Sequence, residues 1–68
     1  MKFRVKIKAL ETALLENGAS YKVLQERTGL SSKTIFKVYR GKPVVPSTCV
    51  KVAGALGVNP SELFERAD

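Results

Sequence analysis

SYKVLQERTGLSSKTIFKVYRG, residues 20–41, decides the fold. The stretch holds two helix starts and one tight stop. Ser20 is a good N-cap, because its hydroxyl can accept from the backbone N–H groups that a first turn leaves unpaired, and Leu24 then falls at the fourth helical position. That helix runs to about Thr28, where Gly29 can take the left-handed turn conformation. Ser31 opens the next helix, with Leu30 before it and Ile35 at its fourth position as a hydrophobic staple. This second helix carries Lys33, Thr34, Ile35, Phe36, Lys37, Val38 and Tyr39, and ends near Gly41. Two helices joined by so short a glycine turn cross steeply. Leu24, Ile35 and Val38 then pack together, and the face with Ser32, Lys33, Phe36, Lys37 and Arg40 stays exposed.

Outward toward the N-terminus, Ala9, Leu10, Glu11, Ala13, Leu14, Leu15 and Glu16 are good helix formers. They predict a helix from about Ile7 to Asn17, stopped by Gly18. Before it, Phe3, Val5 and Ile7 alternate with Lys2, Arg4, Lys6 and Lys8, which is a strand period, although Phe3, Ile7, Leu10 and Leu14 also share a helical stripe. Residues 1–6 are therefore a basic arm or a short strand. Three roles stay open for them: a frayed terminus, an arm on the backbone of a partner molecule, or a strand pairing with a second subunit.

Outward toward the C-terminus, Lys42 to Pro46 reads as a loop with two prolines. Ser47 is the expected cap of a fourth helix with Cys49, Val52, Ala53 and Leu56 on one stripe, ended by Gly57. Asn59-Pro60-Ser61-Glu62 places a cap, a proline and a glutamate where a helix start wants them, with Val58 and Leu63 as the staple. A short fifth helix and a polar tail should follow. The expected fold class is an all-α, compact five-helix domain over residues 1–68, with helices four and five in residues 47–64 and a possible N-terminal strand or arm.

Composition narrows the function. The 68 residues carry a net charge of +6, and the charge is uneven. Residues 1–42 hold ten Lys/Arg against three Glu, whereas residues 43–68 hold two basic residues against three acids. Such an excess favours a polyanionic partner. One cysteine and no histidine exclude a disulfide framework and disfavour a structural zinc site. Cys49 lies on the apolar stripe and reads as core. The lone cysteine and the lack of a signal-peptide pattern point to a reducing, cytoplasmic setting. No run approaches the roughly 18 apolar residues that span a membrane. No histidine, no glycine-rich phosphate loop and six scattered acids leave no catalytic set to assemble, so the chain does not read as an enzyme.

The run Leu24-Gln25-Glu26-Arg27-Thr28-Gly29-Leu30-Ser31, followed by Ile35 and Gly41, resembles the Cro/XRE helix-turn-helix family, the phage-repressor-like DNA-binding domains. The run Val52-Ala53-Gly54-Ala55-Leu56-Gly57-Val58-Asn59-Pro60-Ser61-Glu62-Leu63 is similar to that family's last two helices. The likeness covers roughly residues 9 to 64. It implies a sequence-specific regulator, a repressor on a near-palindromic operator, bound as a homodimer to double-stranded DNA. It also implies a bacterial or phage setting. Neither a cofactor nor a small-molecule ligand is expected.

The family pattern puts Ser32, Lys33 and Lys37 at base-contacting positions, and Phe36 joins them as a residue that either meets a thymine methyl or is partly buried. Tyr21 matches a phosphate-touching position, and Arg40 and Lys42 match the end of the helix that binds the backbone. Ser20, Ser31 and Thr34 complete the expected phosphate contacts, Ser20 through a backbone N–H at a helix N-terminus. The plain alternative for Lys33 and Lys37 is a solvated helix face.

Three departures stand out. Gln25 replaces the alanine usual where the two helices approach closely. Leu14 and Tyr39 stand where many relatives carry an arginine–glutamate pair, a swap that is neutral or stabilising when the two changes come together. Pro43-Val44-Val45-Pro46 replaces a loop that is often basic, and its two valines suit a subunit interface. The competing function is a protein-interaction module or antitoxin on the same fold; the hydroxyl and basic residues of the third helix argue against it.

Overall fold

The capping chemistry works as the serines dictate. In the computed structural model, which describes residues 1–68, the Ser20 hydroxyl accepts from the Val23 N–H at 3.4 Å and opens α2, Tyr21–Thr28. The Ser31 hydroxyl accepts from the Thr34 N–H at 3.2 Å and opens α3, Ser32–Tyr39. Between them Gly29 sits at φ +71°, and its N–H returns to the Gln25 carbonyl. Thr28 locks the same turn, donating to the Leu24 carbonyl at 2.8 Å and accepting from the Leu30 N–H. The turn thus leaves few main-chain groups unpaired.

The remaining order is β1 (Phe3–Val5), α1 (Ile7–Asn17), α4 (Pro46–Leu56), α5 (Pro60–Leu63) and β2 (Phe64–Arg66). Leu24, Ile35, Val38, Val52 and Ala53 are fully excluded from water, and Leu10, Ala13, Cys49, Leu56 and Leu63 pack round them. In α2, α3 and α4 these are the stripes the sequence predicts; in α1 Ala13 is buried beside Leu10, while Ile7 of the expected stripe is exposed. α4 packs against both α1 and α2 and so forms the floor on which the α2–α3 pair rests. No helix is long and apolar enough to cross a membrane.

Two boundaries differ from expectation. Helix α4 starts at Pro46 with Val45 as its cap residue, not at Ser47. A proline needs no N–H partner at the first helical position, so it joins the helix rather than delaying it. The expected polar tail after α5 is instead strand β2, with Phe64 buried at 5% exposure.

The N-terminal ambiguity also resolves. β1 is a strand, and it pairs antiparallel with β2 of the same chain in the register Phe3↔Arg66, Arg4↔Glu65, Val5↔Phe64. Its other edge is occupied as well: Phe3 and Val44 exchange both main-chain hydrogen bonds, at 2.9 and 2.7 Å. The residues therefore form a strand of the fold rather than a frayed terminus, and both edges of β1 are paired within the chain. A two-stranded ribbon is weak alone, but burial of Val5 and Phe64 fastens this one to the helices. The ribbon also ties the two ends of the chain together.

Candidate nucleic-acid interface

Helix α3 buries Ile35 and Val38, so the residues one helical face away must point outward. Ser32, Lys33, Phe36, Lys37 and Arg40 are all exposed, and with Lys42 they line a single shallow concavity of about 550 Å³. Four of the six are cationic and none is acidic. The chain's two ion pairs, Arg4–Glu65 and Arg66–Asp68, lie elsewhere. Lys33, Lys37, Arg40 and Lys42 thus present unneutralised charge over one surface, next to one hydroxyl and one phenyl ring.

The frame behind this face is aromatic. Tyr21, at the first position of α2, packs on Phe36 with ring centroids 5.0 Å apart, and on Tyr39 edge-on at 5.4 Å. Its hydroxyl donates to the Ser32 carbonyl at 2.9 Å. The Tyr21 proton is thus engaged within the protein, and the side chain braces the first turn of α3. The Arg40 guanidinium lies 5.5 Å from the centroid of the Phe36 ring. Tyr39 faces inward, with a hydroxyl that is buried and has no hydrogen-bond partner. Burial, and secondarily the nearby Tyr21, push its pKa upward, so it stays neutral.

The other predicted contact residues flank the concavity. Ser20 is exposed at the N-terminus of α2, with its side chain spent on the cap. Ser31 and Thr34 share a hydroxyl–hydroxyl bond of 3.0 Å at the N-terminus of α3. Helix N-termini hold partial positive charge, which suits an anion. Leu14 and Tyr39 both pack against the core. Gln25 is half-buried, without disturbing the turn.

Residues 9–68, all but the first eight, match the family model for a Cro/C1-type HTH DNA-binding domain. The chain belongs to that family. Among solved structures, the crystal structure of the transcriptional regulator VanUg, form II, superposes with a TM-score of 0.77 at 20% sequence identity, covering 96% of this chain and 87% of that one. At that identity the likeness establishes the fold. A search of curated proteins found no relative by sequence. As a Cro/C1-type domain the chain is a DNA-binding module, and α3 occupies the place of the family's second motif helix, the one that enters the major groove.

Sequence reasoning missed two supports of this Cro/C1-type framework. Asn17 donates from Nδ2 to both the Ala13 and Leu56 carbonyls at 2.9 Å, clasping the C-terminal ends of α1 and α4. An asparagine just before a helix-ending glycine is the only local hint. The Tyr21 brace had no signal at all, because its partner is a main-chain carbonyl eleven residues on.

Proposed function

We propose that the chain is a sequence-specific transcriptional regulator, a repressor that binds a near-palindromic operator as a homodimer and lays α3 in the major groove of each half-site. The observation that carries this reading is the convergence of Ser32, Lys33, Phe36, Lys37, Arg40 and Lys42 on one exposed, acid-free surface of the motif helix. Lys33 and Lys37 suit the guanine acceptors O6 and N7, Ser32 suits several bases, and Phe36 is the apolar contact. Arg40 and Lys42, with the helix N-termini at Ser20, Ser31 and Thr34, hold phosphates and set the register. Occupying an operator is enough to block transcription, so repression asks nothing more of the domain.

Size supports the dimer. Adjacent half-sites lie about 34 Å apart, and the backbone measures 31 × 22 × 17 Å, so two reading faces at that spacing need two copies side by side. Val45 and Val50 are 42% and 59% exposed, and Val50 with Phe3, Cys49 and Phe64 borders an apolar concavity of about 410 Å³ at the start of α4. This face adjoins Lys42 along the chain and suits the second copy. Val44, by contrast, is core.

Selection from a random duplex pool tests the reading. The expected product is an inverted repeat bound by two chains, with Val50→Glu lowering the sedimentation mass to a monomer. Enrichment of a lone, asymmetric site bound by one chain contradicts the dimer, and no enrichment contradicts sequence reading.

A further inference from the structure

Phe36 is the one large apolar side chain on the reading face, and it is 51% exposed. An exposed phenyl among lysines gains nothing by packing outward, yet this ring is held in place. Tyr21 lies behind it at 5.0 Å, and Arg40 stands 5.5 Å from its centroid. Tyr21 is itself anchored by its hydrogen bond to the Ser32 carbonyl. Two residues therefore spend contacts on holding a ring that remains half in water, where such contacts of tilted rings and cations with aromatic faces are weak but directional. The free part of the ring opens onto the concavity shared with Lys33 and Lys37.

The major groove offers four kinds of hydrogen-bonding edge and a single apolar group, the methyl on C5 of thymine; a cytosine methylated at C5 presents the same group. We infer that Phe36, braced by Tyr21 and Arg40, is a reader of a pyrimidine 5-methyl group at one position of each half-site. This rests on the DNA-reading function proposed above and narrows it. The preorganised ring covers the methyl without first losing rotamer freedom, so discrimination comes from the water the methyl sheds. Tyr21 acts here as a positioning residue, since it reaches the base only through Phe36.

The test uses the full chain and the duplex recovered by selection. Each thymine is replaced in turn by deoxyuridine, which deletes the methyl and leaves base pairing intact. Separately, each cytosine is replaced by 5-methylcytosine. Burial of one methyl is worth about a four-fold change in affinity. The expected result is a loss of that size at one thymine per half-site if thymine is the source, or a gain of that size at one cytosine if methylated cytosine is. Phe36→Ala, whose circular dichroism should match wild type because the ring is half exposed, is expected to bind the methylated and unmethylated duplexes equally. Lys33→Ala should keep the discrimination while binding more weakly. Equal wild-type affinity for every duplex in both series overturns the inference, and so does a Phe36→Ala variant as methyl-sensitive as wild type. Failure of the wild type to prefer any duplex sequence is a different failure and removes the DNA-reading function itself.

Discussion

The chain has two basic regions, and they do opposite things. Arg4 lies in the N-terminal ribbon and Lys6 just after it; Arg4 Nε meets Glu65 at 3.0 Å and Lys6 Nζ donates to the Ser61 carbonyl at 3.3 Å. Lys33, Lys37, Arg40 and Lys42 belong to α3 and the turn after it, where no acid meets them. Charge counting along the sequence cannot separate the two. What separates them is whether the fold turns the cations toward partners of its own. The ribbon sets Arg4 against an acid of the opposite strand and packs Val5 and Phe64 into the core; α3 keeps its charges free and shows them on one surface.

If that division is right, damage to the ribbon is a stability defect and damage to α3 is a binding defect. The largest expected effect is on the ribbon side. Phe64→Ala removes a ring that is 5% exposed and should lower unfolding free energy by about 3–5 kcal/mol, read by urea titration. Deleting residues 1–6 should act the same way, by stripping Val5 from the core. A deletion variant of unchanged stability with halved sedimentation mass contradicts the intramolecular role. Cys49 offers a second readout. Its thiol is buried, and that burial raises its pKa, so it should react with a thiol reagent only when the domain opens, and faster in Phe64→Ala.

On the α3 side, Lys33→Ala and Lys37→Ala should each cost about 1–3 kcal/mol in binding to a selected site, with random-sequence binding less affected, and should leave urea stability within about 0.5 kcal/mol. Equal losses on selected and random DNA remove the base-reading role and leave only a phosphate role.

The turn between the two motif helices sharpens the boundary. Gly29 has open space where a Cβ would go, but its φ is +71°. Gly29→Ala should therefore cost about 1–2 kcal/mol through backbone strain alone, seen as a lower melting temperature with site preference unchanged in the folded fraction. The smallest effect is expected at Arg4. Its ion pair is about half exposed on both sides, so Arg4→Ala should change stability by no more than about 1 kcal/mol and the salt dependence of DNA binding not at all. Arg40→Ala or Lys42→Ala should instead reduce the salt slope by about one ion each.

Legibility in the sequence followed the range of the interactions. The helices of the motif were legible because Ser20, Gly29 and Ser31 act within a turn or two, and Leu24, Ile35 and Val38 repeat at the helical period. The outward face of α3 was legible for the same reason: once Ile35 and Val38 are inward, Ser32, Lys33, Phe36 and Lys37 have nowhere else to point. What was hidden depends on distant partners. The alternation of Phe3 and Val5 announced a strand but not its mate, since the mate is three residues at the other end of the chain that continue from a helix. Tyr21 looked like a surface residue free to donate its proton; only the crossing of α2 and α3 brings the Ser32 carbonyl to its hydroxyl. Pro46 reads as loop because two valines and another proline precede it, yet a proline is as good at the first turn of a helix as in a loop.

The central claim is that α3, and not the basic N-terminal segment, meets DNA. The most direct measurement is fluorescence anisotropy of a labelled duplex pool at rising salt, for wild type, Lys33→Ala/Lys37→Ala and Arg4→Ala/Lys6→Ala. Wild-type binding that weakens steeply with salt, is largely lost in the α3 double variant and survives in the ribbon double variant is the predicted result. Loss in the ribbon variant with retention in the α3 variant, both folded by circular dichroism, would contradict it.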